Sequence, residues 1–206
     1  MKNLFKAHPW HGISMGNDAP DIITAFIEIV PTDTVKYEID KASGWLKVDR
    51  PQKFSNIVPA LYGFVPQTYC GDEIAHFCRQ QSDRTDVVKG DGDPLDICVL
   101  SERTITNGGI ILRCIPIGGL RLIDKGEADD KIIAVLEGDE IYGHFTDISQ
   151  CPIAVVERLK HYFLTYKNLP GTPATCEITH VYNRQEAHQV IQHSIADYQK
   201  MFGTNE

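Results

Sequence analysis

Several things are scarce in this chain, and each absence removes a class of function. No apolar run approaches the roughly 20 residues that span a bilayer, and Met1-Lys2-Asn3-Leu4 leads into His8-Pro9-Trp10-His11 with neither the apolar core nor the small-residue cleavage site of a signal peptide. A cytoplasmic location with no membrane partner is expected. There is no basic excess: a formal charge of -8 and a sequence pI near 5.4 argue against a general nucleic-acid binder, which needs an extended basic face. The six cysteines form no C-x-x-C pair, and the eight histidines form no H-E-x-x-H or H-x-H pattern. Reduced, mostly buried thiols and no zinc site are expected. Ser/Gly-rich linkers, internal repeats, low-complexity segments and a Gly-rich phosphate loop are also missing. The 206 residues, 42% hydrophobic and 23% charged, therefore read as one globular domain spanning 1–206.

What is present is a concentration of carboxylates. Asp91-Gly92-Asp93-Pro94-Leu95-Asp96 places three aspartates within six residues, stiffened by a proline and opened by a glycine. Two carboxylates about 4 Å apart repel by roughly 4 kcal/mol at an effective dielectric near 20, so a fold that gathers them must protonate one or bind cations. At neutral pH metal is the better choice. Ile97-Cys98-Val99-Leu100 reads as a buried strand that fixes Asp96 at its start.

A second acidic run, Asp124-Lys125-Gly126-Glu127-Ala128-Asp129-Asp130-Lys131, lies between two predicted strands and on its own is an ordinary charged turn. Paired with the first run at one barrel mouth, it supplies oxygens for several divalent ions. Hard oxygen ligands without thiolate or imidazole favour Mg²⁺ or Mn²⁺ over zinc. Lys36, Arg50, Lys131 and Lys167 are the candidates for gripping a phosphate whose other face the metals hold.

Residues 22–30 are rich in isoleucine, and 34–40 alternate strictly, with Val35, Tyr37 and Ile39 on one face and Lys36, Glu38 and Asp40 on the other. A turn at 40–44 returns the chain through 45–49 as a hairpin. Further strands are expected at 96–100, 110–117, 120–123 and 132–136, with Gly108-Gly109 and Gly118-Gly119 breaking or bending the run. Short strands with glycine corners suggest a small closed barrel. The stretch 68–90 reads as a long surface loop with at most a short helical turn. Helices are expected from Pro152 to the Tyr166-Lys167 region, with Ile153, Val156, Leu159, Phe163 and Tyr166 at helical spacing, and over 184–202, with Ala187, Val190, Ile191, Ile195 and Tyr198 on one stripe.

Two other motif readings fail on the residues. An EF-hand loop would place an Asp or Asn where Leu95 stands and a glycine where Asp96 stands. A phosphotransferase of the D-x-D-x-T kind needs its aspartates after a buried strand, whereas here the strand follows.

The assembled residues resemble family I soluble inorganic pyrophosphatases. The hexapeptide meets that family's signature D-[SGDN]-D-[PE]-[LIVMF]-D. The flanking elements occur in order: Ile27-Glu28-Ile29, Lys36-Tyr37-Glu38-Ile39, Val48-Asp49-Arg50, Tyr62-Gly63, Asp124 with Asp129 and Lys131, and Tyr166-Lys167. The resemblance implies an α+β fold with a mainly β core, an OB-like five-stranded barrel flanked by C-terminal helices. It implies hydrolysis of pyrophosphate to two phosphates through a metal-activated hydroxide, with Asp93 as general base. Asp91, Asp96, Asp124, Asp129 and Glu38 are then metal ligands, and Lys36, Arg50, Tyr62, Lys131, Tyr166 and Lys167 bind phosphate. Mg²⁺ is the implied cofactor, with Mn²⁺ or other divalent ions as substitutes and Ca²⁺ as an inhibitor. A homo-oligomer is implied, a hexamer in preference to a dimer. Two departures stand out: Val58 replaces a tyrosine common in bacterial members, and 69–90 is longer than in compact ones. A metal-dependent nucleotide or phosphate-ester hydrolase and a non-catalytic OB-type binding module are the alternatives. The first needs a base-stacking pocket and the second a basic aromatic groove.

Overall fold

The computed structural model describes residues 7–169 and 171–203; Met1-Lys2-Asn3-Leu4, on which the signal-peptide reading rests, lies outside the described residues. Strands β1 (Ile23–Ile29), β4 (Leu61–Phe64), β6 (Asp96–Leu100), β7 (Ile110–Asp124) and β9 (Lys131–Leu136) pair in the order β1-β4-β6-β9-β7, and β7 pairs back with β1. That closes a five-strand ring, the expected barrel. Between β1 and β4 the chain forms a separate two-stranded sheet, β2 (Val35–Ile39) and β3 (Leu46–Pro51), which is the expected hairpin.

The apolar runs of β6 and β9 follow from burial on both faces. These strands pair in parallel from Asp96 opposite Lys131 to Leu100 opposite Val135. Side chains alternate across a strand: Ile97, Val99, Ile132 and Ala134 join one core with Leu61 and Ile27, while Cys98, Leu100, Ile133 and Val135 join another with Val156, Leu159 and Phe163 of helix α2 (Ile153–Thr165). Burying each large aliphatic side chain is worth about 1.5–3 kcal/mol, so this ladder is the stable centre of the molecule.

Three expectations are corrected. The two strands expected at 110–117 and 120–123 are one continuous β7, whose register shifts between Pro116 and Gly118 where it pairs with β9. The glycines bend the strand without ending it. The stretch read as a surface loop contains an 11-residue helix, α1 (Asp72–Ser82), burying Ile74, Ala75, Phe77 and Cys78 on one face. Its N-terminus has no local cap. Asp197, from the distant helix α3 (Arg184–Phe202), accepts from the amides of Gly71, Glu73 and Ile74 at 2.9, 3.0 and 3.0 Å. This helix precedes the C-terminal pair, so the barrel has a helix from the middle of the chain as well. The last third is not all helix: β10 (Cys176–Asn183) runs between α2 and α3 and pairs antiparallel with β7.

The helix stripes hold apart from one residue. Ala187, Val190 and Ile191 are buried as expected, whereas Ile153 at the start of α2 is 73% exposed. Val58 is fully buried in the core beneath α2. All six cysteines are free and buried, and among the described residues no helix is long and apolar enough to cross a membrane.

Candidate active site

The barrel mouth opens into a cavity of about 580 Å³. Its walls are β2, the hexapeptide before β6, the end of β7 and the C-terminus of α2. Asp91, Asp93, Asp96, Asp124, Asp129 and Glu38 all line it, together with Lys36, Tyr62, Lys131, Tyr166 and Lys167. The two acidic runs do converge at one mouth. The polar face of the β2 alternation, Lys36, Glu38 and Asp40, faces the cavity and not bulk water. Arg50 alone of the expected set does not line it. It contacts Asp49, which also holds Lys36 Nζ at 3.1 Å, and so stands one ion pair behind the wall.

The hexapeptide is held by its neighbours on every side. Gly92 adopts φ +76°, a left-handed conformation that side chains disfavour. Its amide donates to Cys70 O at 3.0 Å, and the Cys70 amide donates to Asp93 O at 2.9 Å. Asp93 N–H reaches Asp91 Oδ1 at 3.0 Å, and Leu95 N–H reaches the buried Thr68 Oγ1 at 2.9 Å. From there Asp96 enters the barrel ladder opposite Phe64 and Lys131. On the facing strand, a Cβ at Gly63 would lie 1.9 Å from Phe26 O, so only glycine lets β4 approach β1 beside Tyr62.

The second acidic run is a tight hairpin. Lys125 and Gly126 both have positive φ, 53° and 81°, the geometry of a two-residue turn between β7 and β8 (Glu127–Ala128). The turn sets Asp124 before it and Asp129 after it on the cavity wall. Strand β8 also pairs with β5 (Lys89–Gly90), which leads directly into Asp91. The two acidic runs are therefore joined by backbone hydrogen bonds.

Each carboxylate cluster has a cation on it. Lys131 Nζ bonds both Asp96 and Asp129, and Lys167 Nζ donates to Asp124 Oδ2 at 2.5 Å. Lys36 holds Glu38 at 3.2 Å, and Tyr62 donates to Asp96 Oδ2 at 2.5 Å. Burial, with the charge of Asp129 and Asp96, pushes the Asp91 carboxyl well above the carboxylate range, although Lys131 opposes the shift. Burial likewise raises Asp129, against the pull of Lys131. For Lys131, burial disfavours the charge, yet the Asp129 and Asp96 carboxylates outweigh it and hold the ammonium well above its usual value.

This site fits hard divalent cations. Its donors are carboxylate oxygens, and Asp124 Oδ1 is buried without a hydrogen-bond partner. Among the described residues no three acidic, His or Cys side chains converge tightly enough to chelate an ion as they stand. Lys131 lies between Asp96 and Asp129, so a metal must displace its ammonium from them.

Among the lining residues to which the sequence reading gave no role, two stand out. Glu28 is 7% exposed on β1, where burial drives its carboxyl up to about 8; its Oε1 accepts from Ile39 N–H at 2.6 Å, tying β2 to the barrel. The signal was a charge between two isoleucines in an otherwise apolar strand. Lys41, in the hairpin turn, pairs with Asp93, donates to Gly92 O at 3.3 Å and lies 5.9 Å over the Trp10 ring. Trp10 is 3% exposed, and its indole N–H donates to Thr68 O at 2.7 Å. Nothing local in the sequence marks that contact.

Comparison with known proteins agrees with this geometry. The family described as inorganic pyrophosphatase matches residues 25–199. An inorganic pyrophosphatase of Chlamydia muridarum is 54% identical over 200 residues, covering 95% of each chain. "Soluble inorganic pyrophosphatase 2" of Chlamydomonas reinhardtii is 37% identical, covering 95% of this chain and 91% of its own. The crystal structure of the Thermus thermophilus inorganic pyrophosphatase superposes with a TM-score of 0.77 at 28% identity, covering 94% of this chain and 99% of that one. With its barrel, its carboxylate mouth and these relatives in agreement, the chain belongs to the inorganic pyrophosphatase family, enzymes that hydrolyse pyrophosphate.

Proposed function

We propose that the barrel mouth hydrolyses pyrophosphate with divalent ions, Mg²⁺ foremost, held by Asp91, Asp96, Asp124, Asp129 and Glu38, and with Asp93 as general base. The observation that carries this reading is the convergence of both acidic runs with Lys36, Lys131, Lys167, Tyr62 and Tyr166 on one cavity. Enzymes of this family depend on divalent metals. Bound Mg²⁺ supplies charge neutralisation at the phosphoryl oxygens and acidifies the attacking water.

The chain's own residues do the rest. Asp93 is half-exposed to the cavity, and its carboxylate accepts the proton that water gives up as its oxygen bonds to phosphorus and the bridging P–O bond breaks. Lys36, Lys131 and Lys167 hold phosphate oxygens as point charges, and Tyr62 and Tyr166 donate hydroxyls. Arg50, paired with Asp49 outside the cavity wall, would join them only by leaving that ion pair. Phosphoryl transfer asks mainly for positioning and charge stabilisation, so no nucleophilic Ser or Cys is required. Mn²⁺ would serve in place of Mg²⁺ on the same carboxylates, whereas the larger, more loosely coordinated Ca²⁺ would hold the reacting groups out of place and inhibit. The enzyme works in the cytoplasm as a homo-oligomer, a hexamer in preference to a dimer; exposed Trp45, Ile111 and Ile153 offer apolar surface for such contacts.

The test is phosphate release from pyrophosphate by the purified chain with Mg²⁺, against a chelated control and a Ca²⁺ arm. Rapid release with Mg²⁺ alone is expected. Release that survives the chelator, or proceeds equally with Ca²⁺, overturns the metal assignment.

A further inference from the structure

Arg121 on β7 is fully buried and heads the largest side chains of the interior. Its guanidinium donates from Nη1 to Asp130 Oδ2 at 2.5 Å and from Nη2 to Glu186 Oε1 at 2.7 Å. Its Cζ lies 5.0 Å from the Phe77 ring centre and 5.1 Å from that of Tyr182. One side chain thus gathers α1, β10, α3 and the loop that enters β9. None of these groups lines the cavity, and hydrolysis as set out above uses none of them.

Stability does not explain this arrangement. A buried ion pair is a weak source of stability, because desolvation offsets the attraction, and an apolar pair of similar volume commonly does as well or better. Here the compensation is also incomplete: Asp130 Oδ1 and Tyr182 Oη are buried without a hydrogen-bond partner. The position of Asp130 offers the reason. It lies between Asp129 and Lys131, both of which line the cavity, while its own side chain turns to the opposite side and meets Arg121. Neighbouring residues of extended chain face opposite ways, so anchoring the middle one orients the two flanking ones. The Asp129 amide, bonded to Leu122 O at 3.0 Å, closes the same segment onto β7.

We propose that Arg121 and Asp130 are positioning residues: their buried pair locks residues 129–131 so that Asp129 and Lys131 face the cavity together, with Glu186 fixing the guanidinium from α3. The inference rests on the reading of Asp129 as a metal ligand. It adds two residues, neither in contact with substrate, through which the outer helices reach the metal-binding loop.

The experiment compares Mn²⁺ binding by calorimetry, without substrate, in the full-length protein and its variants. The principal variant is Arg121→Met with Asp130→Leu, which removes both charges and leaves neither stranded. Its thermal midpoint is expected to stay near that of the parent, while Mn²⁺ affinity falls about tenfold, the lower end for groups that orient metal ligands. A folded double variant with parental Mn²⁺ affinity overturns the proposal. If that variant does not fold, Glu186→Gln carries the test. It frees the guanidinium at the partly exposed α3 end and is expected to weaken Mn²⁺ binding about two- to threefold; unchanged affinity overturns the proposal. Asp129→Asn separates the two readings. If that change leaves Mn²⁺ binding intact, the ligand assignment itself fails; if it weakens binding and the double variant does not, only the positioning role fails.

Discussion

The five-strand ring and the β2–β3 hairpin face each other across the cavity and are held in different ways. In the ring, β6 and β9 are buried on both faces and every strand has two hydrogen-bonded neighbours. The hairpin strands pair only with each other, and along β3 Lys47, Val48 and Asp49 are exposed. Its anchors to the ring are few: Ile39 packs with Phe26 and Phe64, Glu28 accepts the Ile39 amide, and Lys41 reaches Asp93. The carboxylates at the ring's mouth are thus set by a rigid lattice, while Lys36, Glu38 and Arg50 ride on a hairpin that is only partly buried. Local opening is expected where buried contacts are few. Three of the proposed site residues, Lys36, Glu38 and Arg50, therefore sit on a softer part than the aspartates at the ring's mouth.

The largest effect that tests this contrast is at Asp93. Asp93→Asn keeps the shape of the mouth and removes the proton acceptor, so kcat for pyrophosphate should drop by about 10²-fold or more while Mn²⁺ still binds. Near-parental turnover would break the assignment of the reactive carboxylate to the ring side.

Stability gives the next contrast. Ile97→Ala hollows a fully buried ring position and should cost about 2–5 kcal/mol in urea unfolding. Val48→Ala, at a hairpin position 61% exposed, should cost no more than about 0.5 kcal/mol. Equal losses would mean that the hairpin is as integral to folding as the ring.

The smallest effect concerns the hairpin's anchor. Burial raises the Glu28 carboxyl from its ordinary value of 4.5 to about 8, so in metal-free protein the folded state keeps a proton there that the unfolded chain has released. The unfolded state binds fewer protons between those values, so this contribution is complete below about pH 4.5 and is lost as pH rises towards 8. Glu28→Gln retains an acceptor for the Ile39 amide and cannot ionise. The variant should lose that part of the stability decline, measured as a shallower fall of the thermal midpoint from pH 5 to 8; parallel curves would show that Glu28 does not titrate as argued.

Local patterns revealed most of the ring and most of the site. The alternation of 34–40, the apolar runs after Asp96 and before Leu136, and the 3.6-residue stripes of α2 and α3 are local signals read through burial on one or two faces. The hexapeptide carried its own chemistry because dense carboxylates have few stable uses. What escaped reading depends on distant partners. Helix α1 takes its cap from Asp197, more than a hundred residues away, so its polar start looked like loop. The short strands β5 and β8 exist by pairing with each other and with β7, and two residues of sequence cannot announce that. Arg50 matched a motif, but only the fold shows that it pairs with Asp49 and does not line the cavity. Asp130 looked like one more acid in a charged turn until the structure turned it inward to Arg121.

The contact between Trp10 and Lys41 has an optical consequence. The chain has two tryptophans: Trp10, buried beneath an ammonium that also touches the proposed base, and Trp45, 66% exposed at the tip of the same hairpin. Indole emission responds to nearby charge, and the shielded and hydrated rings emit at different wavelengths. Displacing Lys41 from Asp93 is therefore expected to shift the blue component of the protein's own emission, a signal from the mouth that needs no dye.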